Sequence, residues 1–241
     1  MPFTFCHPAI VLPFKIFPKR FFSLSGLIVG SMAPDFEYFL RMRIVSLIGH
    51  SIHGLFIFDL PLSIILLFVF YNIVSKDIIN NLPNYFRSRL LFITKINWND
   101  YFKKSWWIVV YSILIGAVTH ILWDAFTHKG GFFVLKSELL SNHILVFSHS
   151  IGIYKILQHG STLFAGLFIL LSIARLKPDT NLAQNKVSIY WIRLILIAAG
   201  ISFLRIIIGG FGGIGTFIVS AIAACLYALI LTSLFFKNKI A

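Results

Sequence analysis

His120, Asp124 and His128 recur every four residues in the run His120-Ile-Leu-Trp-Asp124-Ala-Phe-Thr-His128. On a helix that spacing stacks two imidazoles and a carboxylate on one face, and both groups are metal-ligand types. The segment leading into them, Trp106 to Val118, is almost wholly apolar and carries no charge. Ionisable groups at the edge of such a segment are costly unless partnered, which makes them a functional-site hypothesis. The remaining candidate ligands are His7, Asp35, Glu37, His50, His53 and His159, with His50 and His53 at an i, i+3 helical spacing.

One structural zinc takes four ligands and a catalytic one takes three plus water. The set exceeds that demand, so it predicts two divalent ions about 3.5–4 Å apart, the arrangement that activates water in phosphatases and nucleases. Zinc or manganese is the first expectation, and iron also suits a His/carboxylate set. Asp35 or Asp124 is the expected bridge between the ions, and Asp35, His53 and Asp124 are the expected catalytic residues. Histidines left outside the ligand shell would orient ligands or give a proton to the leaving group. His143 and His149, in the loop from Gly130 to Gly160, read as structural. Asp59, six residues past His53, reads either as a support behind the ligands or as a partner of Arg205.

The elements that must position these groups are membrane spans. The chain has 241 residues, of which 58% are hydrophobic and 12% charged, and its mean hydropathy is +0.88. Soluble domains carry roughly 25% charged residues. Five apolar stretches approach or exceed the ~20 residues that a bilayer requires: Leu55 to Val74, Trp106 to Phe126, Ser161 to Leu176, Ile189 to Ile208 and Ile214 to Phe236. The predicted fold is an all-α polytopic transmembrane bundle. The whole chain, 1–241, reads as one integral membrane domain, with the metal-site region in 1–165 and C-terminal spans in 166–241. Pro8, Pro13, Pro18 and the Lys19-Arg20 turn predict a re-entrant N-terminal hairpin, with helices over Pro8 to Phe17 and Phe22 to Ala33. The competing reading is one ordinary span from Phe17 to Leu40. No cleavable leader is expected, because no basic residue precedes the first apolar run.

A net charge of +13 points to membrane topology and not to nucleic acid, because the basic residues lie in loops between spans. The loop from Lys76 to Lys104 holds six of them and is placed in the cytoplasm. Alternation then puts Lys15, Lys19, Arg20, Arg175, Lys177, Lys186, Lys237 and Lys239 inside as well. That makes fourteen of the 21 basic residues, against five outside: Arg41, Arg43, Lys129, Lys136 and Lys155. The expected location is the inner, cytoplasmic membrane, with the C-terminus inside and the His/Asp site facing outward. Cys6 and Cys225 read as free thiols. Gly210-Phe-Gly-Gly-Ile-Gly215 matches a dinucleotide pattern, but no β-strand or βαβ unit surrounds it, so it reads as a turn or close packing between spans.

Several blocks together carry a resemblance. They are Met1-Pro-Phe-Thr4 with His7-Pro8, Gly30-Ser-Met-Ala-Pro-Asp-Phe-Glu-Tyr38, His50-Ser-Ile-His-Gly54, Phe58-Asp-Leu-Pro61, His120-Ile-Leu-Trp-Asp124 and Gln158-His-Gly160. Through them the chain resembles a bacterial membrane family of unassigned function, the domain of unknown function 4184 family. It is also loosely similar to inner-membrane metal-dependent hydrolases. Those carry an early His, a Pro-Asp pair, a His-x-x-x-His segment and a later His-x-x-x-Asp, which would fall here on His7, Asp35, His50, His53, His120 and Asp124. The middle pair here is His-x-x-His, one residue shorter. The expected function is metal-dependent hydrolysis of a phosphoester on a membrane lipid or lipid-linked substrate. The alternatives are a metal-ion or proton carrier, or a non-catalytic membrane protein that uses the same His/Asp cluster.

Overall fold

A computed structural model describes residues 3–18, 20–179 and 188–236. Met1, Pro2, Lys19, Lys186, Lys237 and Lys239 carry part of the expected family opening and basic-residue topology, and they lie outside the described residues. Five helices are long and apolar enough to cross a membrane: Ile52–Asn80, Trp98–Lys136, Ile153–Ala174, Ile189–Gly209 and Ile214–Phe235, here called the first to fifth spans. The chain is a multi-pass helical membrane protein. Three of the spans outrun the apolar stretches that announced them, because the helix continues past the hydrocarbon-length run into Lys76 and Asp77 in the first, back to Trp98 in the second and back to Ile153 in the third.

The chain forms two compact units. The first comprises Met1–Pro34, Ile48–Ser63 and Trp106–Ser172, and the second comprises Asp35–Leu47, Ile64–Ser105 and Ile173–Ala241.

In the first unit the N-terminal hairpin is present, but each arm is broken. The first arm is α-helical only over Pro8–Val11 and tightens to a 3₁₀-helix over Leu12–Ile16. Pro13 has no N–H to give the carbonyl four residues back, so the α-helix ends before it. The second arm is α-helical over Leu24–Gly30, with Ser23 as its N-cap accepting from Gly26 N–H at 3.3 Å. It stops at Gly30 because the ring of Pro34 would meet that carbonyl, and a new helix, Ala33–Arg41, follows. A single span from Phe17 to Leu40 is therefore not formed.

The second arm lies directly on the second span. A Cβ at Gly30 would collide with the Ile113 carbonyl, and one at Gly116 with the Leu27 carbonyl. Small residues at such a face let two backbones approach in an apolar setting. Ser112 Oγ accepts from Ser23 N–H at 2.9 Å and fixes the register.

The first span opens with a π-helical turn over Leu55–Asp59. Pro61 explains it, because the missing N–H and the ring crowding Ile57 favour a widened turn. One element departs from the all-α expectation. Within the loop from Gly130 to Gly160, β1 (His143–Val146) pairs antiparallel with β2 (His149–Gly152). Its two-residue turn puts both Phe147 and Ser148 at positive φ. Such turns usually announce themselves through Gly, Asn or Asp, and none is present here.

In the second unit the fourth and fifth spans pack through Tyr190, Leu194 and Ala198 against Ala224 and Ala228. Trp191 Nε1 donates to the Asn81 carbonyl at 2.7 Å, and Trp98 stacks on Tyr71 at 4.8 Å.

Candidate metal centre

Asp124 sits on the second span with its side chain 12% exposed, and four imidazoles face it. Its Oδ2 lies 3.5 Å from His120 Nε2 and 3.6 Å from His50 Nε2. Its Oδ1 lies 3.4 Å from His128 Nδ1 and 3.8 Å from His7 Nε2. His128 Nδ1 also lies 3.2 Å from the main-chain carbonyl of Asp124, which can only accept, so that nitrogen carries a proton. All five residues belong to the first unit.

Each imidazole has a local reason to be there. His120 and His128 are one helical turn either side of Asp124, as their spacing predicts. His120 is fully buried, and its Nδ1 lies 2.7 Å from the Ser31 carbonyl. That oxygen can only accept, so Nδ1 carries the proton and the lone pair of a neutral ring is on Nε2, toward Asp124. Ser31 follows the helix Leu24–Gly30 as its C-cap, where carbonyls lack intrahelical donors. The glycine contact between that helix and the second span brings the carbonyl within reach of His120. No side-chain pattern in the sequence marks this partner.

His7 caps the helix that begins at Pro8. It is buried, stacks on His120 with ring centroids 3.8 Å apart, and meets the edge of Trp123 at 5.7 Å. His50 lies in the turn ahead of the first span. Gly49 lets that turn close on the chain, since a Cβ there would be 2.7 Å from the Pro34 carbonyl. Buried Asp59 stands behind the same turn, its Oδ1 3.4 Å from that Cβ position. Arg205, the other partner considered for Asp59, donates to the carbonyls of Met42 and Gly210.

The expected ligand Asp35 is buried in the second unit. His50, His120 and Asp124, all in the first unit, offer ligand atoms that lie within 4.8 Å of one another, and the group could hold a metal ion. The donor chemistry and spacing fit one. Two ligands each about 2.1 Å from a tetrahedral ion stand about 3.4 Å apart. The Asp124–imidazole distances are close to that value and longer than the usual 2.7–3.2 Å of a hydrogen bond.

Three other expected ligands are also placed elsewhere. Glu37 is buried in the second unit and is engaged by Arg41 Nε and Nη2, both at 2.9 Å, by Ser46 Oγ at 3.0 Å and by Leu47 N–H at 3.0 Å. His53 is exposed. Its i, i+3 relation to His50 fails because Ser51 caps the helix at Ile52, leaving His50 in the turn outside it. His159 is exposed on the third span. The face of that span toward Trp123 is carried by Ser161 and Ala165, and the 3.6-residue period turns His159 away from it.

The profile of a family described as a domain of unknown function (DUF4184) matches residues 1–234. No curated protein and no solved structure matches the chain.

Proposed function

The chain belongs to the DUF4184 family, and we propose that it is a membrane-embedded, metal-dependent hydrolase of a lipid-borne phosphoester. One observation carries the reading: a single carboxylate presents one oxygen to His50 and His120 and the other to His7 and His128. His50, His120 and Asp124 would hold a divalent ion, with His7 and His128 beside it, and zinc or manganese suits the donors. A divalent ion bound there would supply Lewis acidity and a water ionised near neutral pH.

The chain's own residues do the rest. Ser31 fixes the ring of His120 through Nδ1, as partners behind a metal ligand commonly do. His7 stacks on that ring and closes the apolar side of the site. His50 and His128, 25% and 30% exposed, form its open side, so a phosphoester enters past them. The ends of apolar spans frame the site, which favours a lipid-borne substrate over a soluble one. The distribution of basic residues supports an inner-membrane protein whose site faces away from the cytoplasm.

The test uses purified full-length protein, stripped of metal and reloaded with zinc or manganese in detergent. Release of inorganic phosphate from phosphatidic acid and polyprenyl phosphate is then measured. Metal-dependent release that a chelator abolishes is the expected result. Uptake of zinc or manganese into proteoliposomes with no hydrolysis would replace the enzyme with a carrier.

A further inference from the structure

A second polar feature of the molecule belongs to neither the Asp124 cluster nor its supports. In the second unit Arg41, Arg43 and Arg205 line an open pocket of about 440 Å³ together with Val45, Ile208 and Gly209. Only Arg41 has a carboxylate partner, Glu37. Among the described residues Arg43 makes no side-chain hydrogen bond or ion pair. Among the described residues Arg205 makes two long hydrogen bonds, 3.4 Å to the Met42 carbonyl and 3.5 Å to the Gly210 carbonyl. Gly209 makes room for this guanidinium, because a Cβ there would collide with Nη1. Three guanidinium charges against one carboxylate leave two in excess, with most of the donors of Arg43 and Arg205 unused.

Topology does not account for these arginines. The fourth span ties Trp191 to Asn81, beside the basic loop from Lys76 to Lys104. It ties Arg205 to Met42 fourteen residues later, roughly 21 Å further along the helix. The three arginines therefore lie at the opposite end of that span from the loop. A positive-inside bias explains one end of a span and not both. Arginines near the end of a span reach the membrane interface, where the phosphates of anionic lipids lie.

We infer that this pocket binds a phosphate oxyanion held by the guanidinium forks of Arg43 and Arg205, with Arg41 beside them. Planar guanidinium groups match phosphate oxygens in pairs. Val45 and Ile208 add an apolar wall that suits the glycerol or chain of an anionic lipid, while free phosphate would use the arginines alone.

The test is calorimetric titration of the full chain in a non-ionic, phosphate-free detergent, with chelator present so that the Asp124 site is idle. The probes are inorganic phosphate, dihexanoylphosphatidic acid and, lacking phosphate, dihexanoylglycerol. Phosphatidic acid is expected to bind and dihexanoylglycerol is not. Arg43→Gln and Arg205→Gln are each expected to weaken binding at least about tenfold. Binding of inorganic phosphate with the same arginine dependence would identify the phosphate group alone as the ligand, and its failure beside lipid binding would identify a lipid head group. Arg43 makes no side-chain hydrogen bond or ion pair among the described residues and is exposed, so Arg43→Gln tests the pocket even where Arg205→Gln misfolds. Unchanged affinity in Arg43→Gln, equal binding of dihexanoylglycerol, or no binding of either phosphate probe would overturn the inference. Because the metal centre is idle, none of these results bears on the hydrolase reading.

Discussion

Asp124→Asn is expected to strip the protein of bound metal. Asp124 is the one carboxylate that all four imidazoles face. The substitution keeps size and shape but replaces an anionic ligand with a neutral amide. Losing a partner behind a ligand typically costs 10–100-fold in metal affinity, so losing the shared ligand itself should cost more than about 100-fold. Metal content after equilibration with zinc or manganese and removal of excess, read by mass spectrometry, should fall to background. His53→Ala and His159→Ala serve as matched controls, since both residues are exposed; each should retain the wild-type amount. An Asp124→Asn protein that still carries the wild-type complement would show that the ion, if bound, is held elsewhere.

Glu37→Ala is expected to damage the fold and spare the metal. Glu37 was legible as a buried acid beside Asp35, but its carboxylate is spent on Arg41, Ser46 and the Leu47 N–H. Hydrogen bonds to a charged group are worth roughly 1.5–3 kcal/mol each, and donors left unpaired in a buried place add their own cost. Arg41 is 40% exposed, so its pairing is screened and counts for less. A destabilisation of about 3 kcal/mol is the net expectation, seen as a lowered thermal midpoint in detergent with metal stoichiometry unchanged. A Glu37→Ala protein of normal stability that had lost its metal would return this residue to the ligand set.

These two residues show how far sequence alone reaches. Apolar runs long enough to cross a bilayer located all five spans, because hydropathy and length are direct demands of the solvent. Where helices extended past the hydrocarbon, as at Lys76 and Asp77, hydropathy carried no signal. Prolines gave the N-terminal hairpin, and the same residues broke its arms into shorter helices than the apolar pattern suggested. The β1–β2 hairpin was invisible, since its strands are four residues long and its turn is Phe147-Ser148.

In the site, the i, i+4 run His120–Asp124–His128 was the strongest pattern, and it does share a face. His7 and His50 were reachable through the argument that buried charge must be partnered and through the family resemblance. The same argument also gathered His53, Glu37 and His159. What separated the two groups was local geometry that composition does not encode: the Ser51 cap that leaves His50 outside a helix, and the helical phase that turns His159 away. The Ser31 carbonyl is a backbone group with no residue-type signature at all.

X-ray absorption at the metal edge, on full-length protein loaded with zinc or manganese, tests the centre most directly. The account expects a first shell of nitrogen and oxygen only, at about 2.0–2.2 Å, with the outer-shell scattering of at least two imidazoles and loss of that signal in Asp124→Asn. A spectrum with no imidazole scattering, or one that Asp124→Asn leaves unchanged, would contradict it.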